Sequence, residues 1–331
     1  MRKIGILFGM EDTFPWALID RINRMAVQDV RAEVARFDAV KMAEPSGYRV
    51  ILDRISQDVD FYRAALKNAV LGGTIVINNP FWWSADDKFF NYALMSKLGI
   101  AIPKTVILPH FQHPPGTTAK SFRNLNYPLN WDAVFAYVGF PAYLKPYSGG
   151  GWKSVYKVNS PEEFFRAYHE TESLCMTLQE GIEFEEYFRC YVVHRKQVHV
   201  MRYDPRKPHE DRYVRNPAPI DPQRYERMHQ DCLTICRALG YDLNTVEFAV
   251  RDGVPYAIDF LNPAPDADLY SVGEANFEWI VQAVADMLVE RALSDERPAR
   301  DYRWQAFLNS EHPGTTEAIE QATNRQAPTN S

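Results

Sequence analysis

The sequence predicts a mixed α/β (α+β) protein, with a parallel sheet at its N-terminus and antiparallel strand pairs after it. Three observations lead there. Over residues 1–80, short apolar runs alternate with segments of helical spacing, the pattern of parallel strands joined by crossover helices. Residues 139–158, GFPAYLKPYSGGGWKSVYKV, carry two strand-like runs across Gly149, Gly150 and Gly151. Residues 244–260 read as a hairpin turning at Asp252-Gly253, a favoured two-residue turn.

Taken in order, residues 4–8 are a first strand and 16–30 a helix. Residues 34–40 and 48–54 are strand-like. Residues 58–70 form a helix with Phe61, Ala65, Leu66 and Ala69 on one face, stopped by Gly72-Gly73, and 74–77 form another strand. No G-x-G-x-x-G follows the first strand, so the dinucleotide fingerprint is absent. Ser84 is placed to cap a helix with Asp86 and Asp87 in its first turn, running to about Leu98, where Gly99 ends it. Residues 100–108 are extended, 110–130 a surface excursion and 131–138 a short helix. Ser160, Pro161 and Glu163 open the next helix as N-cap, first residue and capping-box partner. Residues 189–193 and 198–202 pair across a tip at 194–197. Residues 203–220, with Arg206, Arg212 and Arg215, are a polar loop. A helix over 221–239 ends at Gly240, and the last clear helix covers 276–293. Beyond Ser294 the apolar period is lost, and 321–331 are expected to be disordered.

Composition narrows the class. Hydrophobic residues are 46% and charged residues 24%, ordinary for a globular chain with a sizeable core. The net charge of −6 does not favour nucleic acid or an anionic membrane surface. No apolar run is long enough to cross a bilayer. Glu11 and Asp12 interrupt the N-terminus before it makes a signal sequence. Cys175, Cys190, Cys232 and Cys236 form no C-x-x-C pair, so reduced thiols in a cytoplasmic protein are expected rather than zinc. A homo-oligomer is left open.

Two constellations carry chemistry. The first is the apolar strand that delivers Lys145 to the triple glycine. Glycines let backbone N–H groups approach phosphate oxygens, and the lysine adds a point charge. No GK[ST] follows, so this is not a Walker loop; a plain hairpin with a mobile tip is the alternative. An isolated ammonium in an apolar strand is costly, which favours a functional lysine. The second is NTVEFAVRDGVPYAIDFLNPAPD, in which Glu247 and Asp259 sit on facing strands and Asn262 follows. Two carboxylates and an amide oxygen suit Mg²⁺. Both acids lie within apolar runs, where a carboxylate needs a partner cation. Among the eight histidines there is no H-E-x-x-H, and no nucleophilic triad is evident.

The order of these features resembles the ATP-grasp superfamily, in particular carboxylate–amine ligases of the glutathione synthetase and ribosomal-protein glutamate ligase type. The features are a DK pair before a helix, a lysine strand with a glycine loop, a QEGI segment, an arginine-bearing strand pair and a carboxylate hairpin ending in Asn-Pro. The resemblance covers residues 81–289. It implies an N-terminal pre-ATP-grasp domain over 1–80, a central subdomain over 81–178, a metal-bearing subdomain over 179–293 and a polar tail over 294–331.

Residue by residue, it implies that Lys88 and Lys145 touch the ATP phosphates. Gly149, Gly150, Gly151 and Trp152 would be the covering loop. Gln179, Glu180, Gly181 and Ile182 would read the adenine edge, and Glu183, Glu185 or Glu186 would hold the ribose. Arg189 and Arg202 would face the transferring phosphate. Glu247, Asp259 and Asn262 would hold Mg²⁺, two ions by the family pattern, with Mn²⁺ able to substitute. The implied activity is ATP-dependent activation of a small-molecule or peptide carboxylate as an acyl phosphate, then attack by an amine. A phosphotransferase and a Mg-ATP binder of reduced turnover are the alternatives. Three departures stand out. Tyr187 occupies the aspartate position of the D-x-R segment; Asp259 and Asn262 are three residues apart where the pattern has two, so either a bulge absorbs the extra residue or Asn262 is not a ligand; and Trp152 lies in the glycine loop, as a cap or as packing. Glu11, Asp12, Arg54 and the excursions at 110–130 and 203–220 are the candidate substrate elements, the arginines of the second suited to a carboxylate.

Overall fold

The N-terminal residues build a four-stranded parallel sheet in the order β2-β1-β3-β4. Its strands are β1 (Arg2–Leu7), β2 (Val30–Val34), β3 (Val50–Asp53) and β4 (Ile75–Ile77), with helices α1 (Phe14–Arg24) and α2 (Asp60–Leu71) between them. The structure is a computed structural model that describes residues 1–83, 87–149, 153–208, 211–215 and 217–295. The elements below belong to one compact unit, Met1–Ser294. The second strand lies earlier than the expected 34–40. Ala32 pairs with Ile4, and Asn23 both donates to the Ala32 carbonyl and accepts from its N–H, each at 3.0 Å. The side chain thus satisfies the open edge at that residue, and the chain leaves the sheet after Val34.

Next come two helices, α3 (Pro80–Trp83) and α4 (Lys88–Lys97), then β5 (Thr105–Leu108). Ser84, expected as a helix cap, lies outside the described residues. The cap of α4 is Asp87, whose carboxylate accepts from the Phe90 N–H at 2.7 Å. A 3₁₀ turn (Ala119–Phe122) interrupts the excursion before α5 (Trp131–Val138), β6 (Ala142–Pro146), β7 (Tyr156–Val158), α6 (Pro161–Glu170) and β8 (Met176–Glu180). These strands form an antiparallel sheet, β5-β8-β6-β7. One face, with Leu144 and Leu178, packs on the aromatic cluster of Trp131, Phe135 and Phe164. Ser160 caps α6 as expected, accepting from the Glu163 N–H. The return bond of a capping box is displaced by one residue, because Glu163 accepts from the N–H of Asn159 at 2.8 Å.

The third sheet, β10-β9-β11-β12, is antiparallel. It is made of β9 (Glu186–Val193), β10 (Gln197–Arg202), β11 (Leu243–Arg251) and β12 (Val254–Asp259), with α7 (Pro222–Leu239) before β11 and α8 (Leu269–Val272) and α9 (Glu274–Leu293) after β12. Phe188, Cys190 and Val192 face α7, while Tyr191 and Val193 share a core with α9 and the parallel sheet. A strand covered on both faces reads as a near-continuous apolar run, which is why YFRCYVV shows no clean alternation. Helix α9 is buried on most sides for the same reason. Gly240 closes α7 in the left-handed region (φ 78°). A Cβ there would lie 1.9 Å from the Trp82 ring, so only glycine lets that indole pack on the helix end.

Candidate active site

Lys145 stands on β6, on the face opposite the aromatic cluster. Alternation along the strand sends Ala142 and Leu144 into the core and Lys145 away from it. Its ammonium donates to Gln179 Oε1 at 2.7 Å and to the Tyr92 hydroxyl at 2.9 Å. Gln179 is buried and held by a bond from its Nε2 to Thr105 Oγ1 at 2.9 Å. The Tyr92 hydroxyl donates its own proton to the Ile258 carbonyl at 3.1 Å. One tyrosine therefore ties the lysine sheet to the end of β12. Burial pulls the Lys145 pKa down to about 8, against the attraction of Asp259 and Glu247. Lys88, at the start of α4, lies close enough to Tyr92 for its charge to favour the phenolate. Both lysines therefore lie near the same tyrosine, Lys145 by hydrogen bond and Lys88 by its charge.

The carboxylates meet as cross-strand neighbours. Glu247 pairs with Asp259, whereas Phe248 pairs with Ala257, so Ile258 is the extra residue of a β-bulge. A bulge re-aims the strand beyond it, here setting Asp259 opposite Glu247. Asn262 is held by two bonds: its N–H donates to Asn244 Oδ1 at 3.1 Å, and its Nδ2 donates to Thr245 Oγ1 at 2.9 Å. Thr245 and Glu247 are two apart on β11 and so share a face. The three-residue spacing from Asp259 is thereby accommodated by side-chain bonds to β11. Burial raises the Glu247 pKa; Asp259 adds to the rise, while Arg189 and the Tyr187 hydrogen bond oppose it. Among the described residues no three of His, Cys, Asp and Glu cluster for a metal; here the third oxygen is an amide. Two cross-strand acids, with no nitrogen or sulfur donor between them, have the chemistry of a site for a hard divalent cation.

Tyr187 and Arg189 alternate along β9 to reach that same face. The Tyr187 hydroxyl donates to Glu247 Oε2 at 2.6 Å. Arg189 Nε faces Glu247 Oε1 at 3.5 Å, and its Nη1 donates to the Tyr213 hydroxyl at 3.0 Å. Tyr203 and Tyr213, which pair across the 203–220 excursion, both set their rings against this guanidinium. Arg212, from the same segment, lies close enough for its charge to act on Glu247.

Other expected residues have different partners. Arg202 is on the opposite face of its sheet, over the Phe188 ring. Its guanidinium bonds the carbonyls of Ala218 and Pro219, each at 3.1 Å, and the Glu186 carboxylate at 2.5 Å. Arg224 contacts the same carboxylate. Glu186, expected at a ribose, and Arg202, expected at a phosphate, thus neutralise each other and fasten the excursion. In the QEGI segment the Glu180 N–H donates to Lys104 O and the Gly181 N–H to Pro141 O, both at 2.8 Å. A Cβ on Gly181 would lie 2.7 Å from that Pro141 oxygen, which explains the glycine. The Glu180 side chain pairs with Arg251 at 2.8 Å, and Ile182 is buried. Gly149 ends the described part of the glycine loop in the left-handed region (φ 87°); Gly150, Gly151 and Trp152 lie outside the described residues.

Tyr92, Tyr187 and Tyr213 are the residues that sequence reasoning missed as partners. Tyr92 carried a signal, since it stands four residues after Lys88 on one helix face. Tyr213 carried none, because its contact with Arg189 depends on how an irregular segment returns over the sheet.

No family model and no curated protein matches the sequence. Solved structures do match. A D-alanine–D-alanine ligase from Bacillus anthracis complexed with ATP is 16% identical, with a TM-score of 0.59 over 88% of this chain and 97% of that one. The ATP-grasp ligase PsnB complexed with a minimal precursor is 15% identical, with a TM-score of 0.60 over 88% of this chain and 100% of that one. A RimK domain ATP-grasp protein from Sphaerobacter thermophilus is 16% identical, with a TM-score of 0.60 over the same shares, 88% and 100%. At such identities the likeness establishes architecture. The likeness runs over nearly the whole of each of those chains, and it establishes that this chain has the ATP-grasp fold.

Proposed function

We propose that this chain is an ATP-dependent ligase that activates a substrate carboxylate as an acyl phosphate and transfers the acyl group to an amine. The observation that carries the reading is the meeting of Lys145 with Glu247 and Asp259 from two different sheets, joined through the Tyr92 hydroxyl. Lys145 and Lys88 would grip the nucleotide phosphates. The Gly181–Ile182 backbone would meet the adenine edge with groups other than the engaged Gly181 N–H. Glu247, Asp259 and Asn262 would hold Mg²⁺, which when bound screens the phosphate charge. Arg189 and Arg212 would neutralise charge on the transferring phosphoryl group, Arg212 in the part first expected of Arg202. The carboxylate oxygen attacks the γ-phosphorus and ADP leaves; the amine nitrogen then attacks the acyl carbon and inorganic phosphate leaves, with one proton released. Neither step needs a nucleophile from the protein.

The experiment is ATP consumption against a panel of carboxylates with and without amines. Hydroxylamine should trap an acyl hydroxamate; a stable phosphorylated alcohol would instead identify a phosphotransferase. A Mg-ATP binder of low turnover is favoured by one feature, the Tyr187 hydroxyl bound to a prospective metal ligand. Tight binding without turnover across the panel would establish that reading.

A further inference from the structure

Beyond the carboxylate pair, a track of polar groups runs from Glu247 to the parallel sheet, and its far end is Arg54. This arginine directly follows β3, and its side chain is 1% exposed. Nε donates to Glu11 Oε2 at 2.9 Å, Nη2 reaches the other Glu11 oxygen, and Nη2 also donates to the Pro265 carbonyl at 2.7 Å. The Tyr191 hydroxyl donates to that same carbonyl at 2.9 Å. Tyr191 is two residues beyond Arg189 on β9 and faces the same way, a separation of ~7 Å along the strand. Asp266 lies beside the track, but its oxygens already accept from the Asp268 N–H at 3.0 Å and the Ser271 hydroxyl at 2.5 Å.

The unfilled groups along this track have one chemical character. Arg54 Nη1 is buried and makes no hydrogen bond of normal geometry among the described residues, although the Tyr191 hydroxyl lies beside the guanidinium; Arg189 Nε makes none either and only faces Glu247. Both are donors on fixed positive charges. Glu11 and Asp266 have hydrogen-bond partners for both oxygens, and Glu247 Oε2 accepts from Tyr187 while its Oε1 has only Arg189 Nε at 3.5 Å. A staple between the parallel sheet and the 263–268 segment would account for the bonds to Glu11 and Pro265, but not for a buried guanidinium N–H with no acceptor. What is missing is an acceptor for Arg54 Nη1 at one end and an acceptor closer than the 3.5 Å of Glu247 for Arg189 Nε at the other.

We propose that the junction between the parallel and carboxylate-bearing sheets binds a small dicarboxylate, one acid group at Arg189 beside Glu247 and the other at Arg54. The inference rests on the ligase reading for what becomes of the first group: it is the one phosphorylated. The second group anchors the molecule by accepting from Arg54 Nη1, the one guanidinium nitrogen that Glu11 and Pro265 leave open, in a charge-assisted hydrogen bond. Arg54 is thus a specificity residue, remote from the transferred phosphoryl group.

The test is calorimetric titration of the full chain, saturated with Mg²⁺ and a non-hydrolysable ATP analogue, with glutarate and with butyrate. Glutarate should bind at least about tenfold tighter than butyrate. Arg54→Lys and Arg54→Met should remove that preference while leaving butyrate binding and nucleotide affinity unchanged. Equal binding of the two acids by the unsubstituted protein, a comparison that requires no variant to fold, would overturn the proposal. So would a preference that survives in a folded Arg54→Met. If the nucleotide analogue itself does not bind, the ligase reading fails; a persisting glutarate preference would then still uphold the dicarboxylate site.

Discussion

A lysine whose pKa has fallen to about 8 makes nucleotide binding depend on pH in a range where an ordinary lysine would not. Lys145 keeps its charge below that value and loses it above. Affinity for Mg-ATP should be flat from pH 6.5 to 7.5 and then fall by up to about tenfold per unit above 8. The unliganded protein should respond in the opposite sense. Its unfolded chain holds the Lys145 proton up to the ordinary value of 10.5, so the unfolded state binds more protons between 8 and 10.5 and stability rises with pH there. Parallel binding and urea titrations across that window separate the two effects. Lys145→Ala should abolish nucleotide binding, as should Glu247→Ala. Tyr187 invites a gentler change. Tyr187→Phe removes the donor to Glu247 Oε2, a loss of about 1 kcal/mol, and should weaken Mn²⁺ binding to the nucleotide complex about fivefold in paramagnetic titrations. An unchanged affinity would mean that the hydroxyl does not orient the acid. Identity and spacing made Lys145, Glu247 and Asp259 legible as candidates, because a charge inside an apolar run must be offset by a partner or a ligand. Arg202 and Glu186 were legible only as charges; which face of the sheet each occupies decided that they meet each other.

At the scale of elements, helix ends were the most readable feature. Ser160 before Pro161 and Gly240 after α7 are local devices, each acting within a turn of its own position, and the structure adds Asp221 as the cap before Pro222. Gly240 also serves a neighbour. Gly240→Ala would place a Cβ 1.9 Å from Trp82 on a left-handed backbone, and should destabilise the protein by about 2–3 kcal/mol in thermal unfolding. A melting temperature within a degree of the parent's would show that the indole has room to withdraw. Strands were less readable where they are edges or doubly buried. The second strand of the parallel sheet lies earlier than expected, and its open edge is bonded at Ala32 by Asn23, on another element. The bulge at Ile258 has no sequence mark, since it arises from fitting β12 to β11 while Tyr92 holds the Ile258 carbonyl.

Across the whole molecule, one side chain links the parallel sheet to the start of β11. Asn78, which follows β4 and is 2% exposed, donates to Leu243 O at 2.6 Å and Pro263 O at 3.1 Å. It also accepts from the N–H groups of Asp242 at 2.8 Å and Leu243 at 2.9 Å. Asn78→Ala would leave those buried backbone groups without partners, a cost of about 3 kcal/mol. Urea denaturation should show the midpoint falling by that equivalent, with glutarate binding lost before nucleotide binding as the junction loosens. Retained stability would mean that water replaces the amide there.

By itself the sequence determined the alternation of strands and helices, the helix ends at Ser160 and Gly240, the lysine-and-glycine hairpin and the facing acids of 244–260. Each of these is a local or near-neighbour relation, governed by periodicity, turn chemistry or the cost of burying a charge. Tertiary structure alone decided that Tyr92 joins Lys145 to β12, that Tyr187 and Tyr213 surround the Glu247–Arg189 pair, that Arg202 turns away to Glu186, and that Arg54 reaches Pro265. Those contacts join residues from different sheets, and no spacing along one chain encodes the angle at which two sheets meet.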